Sequence, residues 1–250
     1  MSMIGEGLQA VNARIARAAM AAGRDPKAVR LVAASKTQPA EFIEEACRLG
    51  QRDFGENYVQ EALEKMDILR AAMGGQTGSQ APLPLRPIEW HLIGPLQANK
   101  TRLVAERFDW VHTVDREKVA RRLSEQRPRG ATPINVLMQI NISGEASKSG
   151  VPPAEAGALA RALASLPGLR LRGLMAIPEH TPDPARQRAA FAALRALLER
   201  LNREDMQLDT LSMGMSADLE AAIMEGATMV RVGTSIFGAR PEATSRERHA

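Results

Sequence analysis

One cysteine, Cys47, stands in 250 residues. No disulfide can form within one chain, and a reducing compartment is expected. Cys47 falls inside a helix-like run, which predicts a small core residue rather than a nucleophile. Aromatics make up only 3% of the chain, so stacking platforms for single-stranded nucleic acid are scarce. The net charge of +4 is mild, and the basic residues are mixed with acids in stretches such as RQRAAFAALRALLERLNRED. That pattern is a solvated helix face rather than a nucleic-acid patch. No apolar run approaches the ~20 residues of a membrane-spanning helix. The opening MSMIGEGLQAVNARIARAAMAAG carries Glu6 and lacks a compact apolar core followed by a cleavage site. Its Leu8, Val11, Ile15, Ala18 and Ala19 instead form one helical stripe. Together these absences predict a cytoplasmic protein with neither membrane nor nucleic acid as partner.

What is present is alternation. Short β-rich runs recur as RLVAAS, RDFGEN, IEWHLIG, WVHTV, INVLMQINI, LRLRGLMAI, LDTLSMG and TMVRVG. Between them lie helical stretches at 39–49, 57–72, 97–107, 115–126, 153–165, 184–203 and 217–225. Ser216 before ADLEAAIMEG reads as a helix cap, with Asp218 and Glu220 in the first turn. Strands alternating with helices imply parallel pairing, because each crossover needs a helix. A closed (β/α)8 TIM barrel with an extra N-terminal helix fits this order in one domain, residues 1–250. An open doubly wound sheet is the competing architecture, but no G-x-G-x-x-G follows the first strand. Residues 73–87, MGGQTGSQAPLPLRP, read as a flexible surface loop, and about 241–250 as a tail.

The chemistry gathers at the two ends of the chain. In LVAASKT, Val32, Ala34 and Lys36 share one strand face. If that face lines a barrel, the Lys36 amine sits at the rim where barrel enzymes keep their active groups. A partly buried amine can form a Schiff base with an aldehyde; a lysine that snorkels or makes an ion pair is the alternative. Near the other end, Arg231 and Gly233 share a face in MVRVGTSIFG. Glycine allows close backbone approach, and successive N–H groups there form an anion cradle. Loops after the last two strands are the usual phosphate site of this fold, and the Ser216 hydroxyl reaches the same place. Alternatively, Arg231 pairs with a core carboxylate and Gly233 is a plain turn. An aldehyde for Lys36, a phosphate for Gly233 and Thr234, and an acceptor for Arg231 are all found in pyridoxal 5′-phosphate (PLP).

The segments LVAASKT, DFGENYVQEALEK, EWHLIGPLQANK, INISGEASKSG, LRGLMAIP, LSMGMSADLEAAI and MVRVGTSIFGAR span residues 31–240. In this order the chain closely resembles the pyridoxal phosphate homeostasis proteins, the YggS/PROSC family. The resemblance implies a fold-type III PLP barrel related to the amino-terminal domain of alanine racemase. It implies an internal aldimine on Lys36. The spacing from Ser216 to Arg231 matches the serine-to-arginine spacing of that domain. By this similarity Ser216, Gly233 and Thr234 hold the phosphate, Arg231 faces the pyridine nitrogen, and Asn57 of GENY lies near the cofactor. A structural Asn in a turn is the alternative for Asn57. His91 and His112 are expected as satisfied core or rim histidines, Lys148 as a surface lysine, and Met213 and Met215 as packing around the ring or core.

Racemases of this fold use a second proton donor, a tyrosine from an additional β domain. This chain has no room for that domain after its last strand motif, and its one tyrosine is Tyr58. An arginine opposite the ring nitrogen keeps the ring a weaker electron sink. These features predict a monomeric PLP carrier without robust catalysis or a bound metal, which passes cofactor to PLP-dependent apo-enzymes within vitamin B6 balance. Competing expectations are a weak amino-acid racemase, using Tyr58, His91 or Lys148, and a cofactor-free lysine aldolase.

Overall fold

The computed structural model describes residues 2–74, 87–145 and 148–238. Most of the expected 73–87 loop, and the tail from 241, lie outside the described residues. Eight parallel strands close into a barrel in sequence order. They are β1 (Arg30–Ala34), β2 (Asp53–Glu56), β3 (Glu89–Leu92), β4 (Trp110–Val114), β5 (Ile134–Gln139), β6 (Leu169–Met175), β7 (Thr210–Ser212) and β8 (Met229–Val232). The helices around them are α1 (Met3–Ala21), α2 (Ala40–Arg48), α3 (Val59–Gly74), α4 (Thr101–Arg107), α5 (Glu117–Gln126), α6 (Ala156–Ala164), α7 (Pro184–Asn202), α8 (Leu219–Met224) and α9 (Thr234–Phe237). Among the described residues no helix is long and apolar enough to cross a membrane.

The period-2 pattern of the strands makes two cores. Leu31, Ala33, Val230 and Val232 face outward and pack beneath the helices. Val32, Trp110, Leu137, Met175 and Met229 face inward and form a small separate cluster in the lumen. The first and last strands pair to close the barrel, with Val32 opposite Arg231 and Ala33 opposite Val232. That pairing sets the two ends of the sequence side by side.

Helix α1 buries its expected stripe, and Ser2 caps it by accepting the Gly5 N–H at 3.2 Å. It lies across α8 and α9. A Cβ on Gly7 would come within 2.8 Å of the Ser235 and Ile236 carbonyl oxygens, so only glycine permits this approach. One expectation needs correction. Ser216 is not the cap of the next helix: α8 starts at Leu219, after Asp218. The Asp218 carboxylate accepts the Met215 N–H at 2.5 Å, which folds residues 215–218 into a turn before the helix can begin.

Cys47 is buried in α2, and burial pushes its thiol up to about 11. At neutral pH it is therefore a protonated core residue. Native protein is expected to react with a thiol reagent at well under a tenth of its rate in denaturant. Equal rates in the two states would show the side chain to be open.

Candidate functional site

At the carboxyl end of the barrel a cavity of about 190 Å³ opens. It is smaller than the roughly 300–1,000 Å³ typical of drug-sized sites and suits one substituted ring. Lys36, Asn57, Ser216, Arg231, Gly233 and Thr234 all line it. Arg231 comes from within β8 and the others from just beyond β1, β2, β7 and β8, four neighbouring strands once the barrel closes. Among the described residues on its wall, Lys36 and Arg231 are the titratable side chains, and both are cationic. A cavity so lined favours an anion.

Lys36 is half-buried, and the residues on either side of it are held from α3. Thr37 adopts φ 63°, a left-handed conformation that costs a non-glycine residue about 1 kcal/mol or more. Its N–H donates to the Glu61 carboxylate at 2.6 Å. On the other side, the Lys65 ammonium donates to the Ser35 carbonyl at 2.8 Å and bridges Glu56 at 2.8 Å and Glu61 at 2.6 Å. The Ser35 hydroxyl donates to the same Glu56 oxygen at 2.7 Å. Glu56 points outward from β2 and is fully buried; burial raises its carboxyl pKa despite the opposing effect of Lys65. Sequence reading passed over Glu56, Glu61 and Lys65. The available signal was a Glu and a Lys at helical spacing, GENYVQEALEK, close behind a buried strand.

Arg231 extends from β8 into the lumen and is 5% exposed. It donates to the Ser212 hydroxyl at 2.6 Å and to the Ala176 carbonyl at 3.1 Å. Among the described residues it has no ion-pair partner, so the expectation of a core carboxylate beside it does not hold. Burial lowers its pKa to about 10, with Asp218 acting in the opposite direction from a distance. It remains a cation at neutral pH. Gly233 lies against β1: a Cβ there would sit 2.9 Å from the Ala34 carbonyl oxygen. Thr234 opens α9, a four-residue helix whose Ile236 and Phe237 N–H groups donate back to the Gly233 carbonyl at 2.8 and 3.0 Å.

The turn carrying Ser216 is held by α1. Arg14 donates to the Ser216 carbonyl at 2.9 Å and pairs with Glu220 at 2.7 Å. No motif in the sequence pointed to Arg14, because a contact so distant along the chain leaves no local signature. Other candidates fall elsewhere. His91 and His112 are fully buried in the lumen, as satisfied core histidines. Tyr58 is 59% exposed and does not line the cavity. Lys148 pairs with Glu145 at 2.7 Å. Met213 packs in the outer core and Met215 lines the cavity.

A parallel barrel closed by β1 against β8, with a lysine after the first strand and an arginine on the last, defines a class. Residues 7–241 match the family described as alanine racemase, N-terminal domain. A protein from Pseudomonas aeruginosa named pyridoxal phosphate homeostasis protein is 60% identical over 240 residues, covering 96% of this chain and 97% of its own. One of the same name from Escherichia coli is 51% identical over 240 residues, covering 96% and 98%. The chain belongs to the family of pyridoxal phosphate homeostasis proteins, within that racemase-domain class. Among solved structures, PipY of Synechococcus elongatus with PLP bound is 36% identical at a TM-score of 0.77, over 94% of this chain and 100% of that one. Alanine racemase from Corynebacterium glutamicum, 20% identical at a TM-score of 0.62, shares the fold over 94% of this chain and 62% of its own.

Proposed function

We propose that this chain binds PLP in the cavity at the carboxyl end of the barrel and serves vitamin B6 homeostasis by storing, buffering or delivering it. The attachment is an aldimine on the Lys36 Nζ. Gly233, Thr234 and Ser216 take the phosphate, Arg231 faces the pyridine nitrogen, and Asn57 lies beside the ring. The observation that carries this reading is the meeting of all six residues on one small cationic cavity. The name of the relatives, and the PLP in the PipY structure, agree with it.

The protein acts as a carrier rather than an efficient catalyst. Proton transfer at an α-carbon needs a second acid or base across the ring. On the described cavity wall Lys36 and Arg231 are the titratable groups, and an arginine opposite the ring nitrogen weakens the electron sink. An incoming amine can still displace the lysine and leave with the cofactor. The protein works as one domain over residues 1–250 and as a monomer in the cytoplasm. The recipients are PLP-dependent apo-enzymes.

Borohydride reduction of the PLP-loaded protein followed by peptide mass mapping tests cofactor and attachment point together. The expected result is one pyridoxyl adduct, on the peptide containing Lys36. An adduct confined to another lysine refutes the assignment. Incubation with single amino acids in deuterated water is expected to give no fast α-proton exchange. Fast exchange abolished by Tyr58→Phe would establish the racemase reading instead.

A further inference from the structure

Below the cavity, the barrel lumen holds a run of polar side chains that the proposed function leaves unused. It starts at Arg231, whose Nη1 lies 2.6 Å from the Ser212 Oγ. The Ser212 Oγ lies 2.9 Å from the His112 Nδ1. The His112 Nε2 lies 3.0 Å from the His91 Nδ1. The His91 Nε2 lies 3.0 Å from the Asp53 Oδ1. Five strands contribute one residue each: β8, β7, β4, β3 and β2. Ser212, His112 and His91 are all fully buried. Trp110 stacks on the His91 ring at 5.6 Å, which fixes the ring plane.

With both imidazoles neutral, the chemistry of the two ends sets the direction of every bond between them. A guanidinium can only donate, and an ionised carboxylate can only accept. Burial pushes the Asp53 carboxyl up, but His91 and Arg30 outweigh it and hold it below its ordinary value. Asp53 is therefore a carboxylate at neutral pH, and His91 must donate to it from Nε2. In a neutral His91, the Nδ1 then accepts, so His112 donates from its own Nε2. His112 is held neutral by burial first, with the charges of Arg231 and Arg30 acting in the same direction. Its Nδ1 accepts the Ser212 hydroxyl proton, which leaves the Ser212 oxygen to accept from Arg231. Each donor meets one acceptor. A second proton on His112 would take the acceptor away from the Ser212 hydroxyl, and one on His91 would force His112 into its other tautomer.

We propose that Ser212, His112 and His91 form a one-directional hydrogen-bonded column, anchored on Asp53, that holds the Arg231 guanidinium in place beneath the cofactor ring. They are positioning residues, and their role rests on the reading that Arg231 faces a PLP ring. The arrangement has a physical purpose. A carboxylate directly on Arg231 would neutralise much of its field at the cavity. The column orients the guanidinium through neutral groups and leaves the compensating charge at the opposite end of the barrel. Asp53, Glu89 and His91 also cluster closely enough for a cation. Arg30 already pairs with both carboxylates, so this cluster is the anchor of the column.

Two measurements on the full chain test this. The first is ¹⁵N-histidine NMR of the wild-type protein near neutral pH. The expected spectrum has His91 and His112 each carrying its proton on Nε2 with Nδ1 as the acceptor. An Nδ1–H tautomer at either ring, or an imidazolium at His112, overturns the proposal without any ligand present. The second uses PLP as the probe with Ser212→Ala and Ser212→Thr. Ser212→Ala is expected to raise the Kd for PLP about tenfold and to shift the visible band, because a hydrogen bond to a charged group is lost. Borohydride is expected still to fix PLP to Lys36 in this variant, and Ser212→Thr to restore affinity and band. Wild-type affinity and spectrum in Ser212→Ala overturn the column's role. Missing label on Lys36 in the wild type would overturn the binding reading instead and leave the tautomers to be judged separately. If Ser212→Ala does not fold, the tautomer measurement decides.

Discussion

Lys36→Ala is expected to abolish the borohydride-stable adduct and the visible absorbance of bound PLP while leaving weak, reversible affinity. The covalent bond needs the amine, and Lys36 is the lysine among the described residues on the cavity wall. The remaining affinity comes from groups the substitution leaves in place. Arg231 keeps its bonds to Ser212 and Ala176, and the Gly233 backbone keeps its place against Ala34 of β1. Loss of attachment is expected to weaken binding about a hundredfold, equivalent to about 2.7 kcal/mol. Equilibrium dialysis with absorbance spectra checks both parts. A visible band of undiminished intensity would move the attachment to another lysine, with Lys148 the first to be tested.

The largest effect on stability is expected from Lys65→Met. The substitution fills much of the same volume but leaves Glu56 buried without its cation. One Glu56 oxygen, Oε2, already lacks a hydrogen-bond partner among the described residues. Breaking a buried pair on one side costs about 3–5 kcal/mol. The pH dependence has a definite sign. Glu56 already has a raised carboxyl pKa, from burial first, and loss of Lys65 raises it further. A carboxyl raised in the folded state favours folding when protonated, and that advantage is lost as pH climbs through the folded value. The deficit of Lys65→Met should therefore be largest near neutral pH and shrink as pH falls toward the ordinary glutamate range. Urea melts at neutral and mildly acidic pH measure this. An equal deficit at both would show that the cost is packing rather than charge. Because Lys65 also holds Ser35, and Glu61 holds the left-handed Thr37, the same variant should load PLP more weakly than wild type.

Much of the architecture was legible along the chain because it is local. The alternation of Val32, Ala34 and Lys36, or of Met229, Arg231 and Gly233, follows from the pleat of a strand. The seven expected helical stretches have counterparts within a few residues, with the start of 97–107 tightened into a 3₁₀ turn at Ala98–Lys100. Ser216 misled because a serine before an acidic helical run looks like a cap. Here the Asp218 side chain closes a turn on Met215 first and delays the helix. The closing of Lys36 onto Arg231 was legible through the closed-barrel reading, in which the first strand must meet the last, and through the resemblance to a family; no local signal says that β1 pairs with β8.

The residue order by itself determined that strands and helices alternate, that the strands run parallel, and which side chains share a strand face. It also determined that a lysine and an arginine stand at strand ends. These follow from periodicity and chain connectivity, which act between near neighbours. Only the tertiary structure decided that Arg231 is held by a hydroxyl and a carbonyl rather than a carboxylate. Only it placed Lys65 and Glu61 to hold Ser35 and Thr37 on either side of Lys36, and lined up Arg231, Ser212, His112, His91 and Asp53 through the lumen. Those contacts join residues from separate strands, and barrel closure, not sequence proximity, brings them within hydrogen-bonding distance.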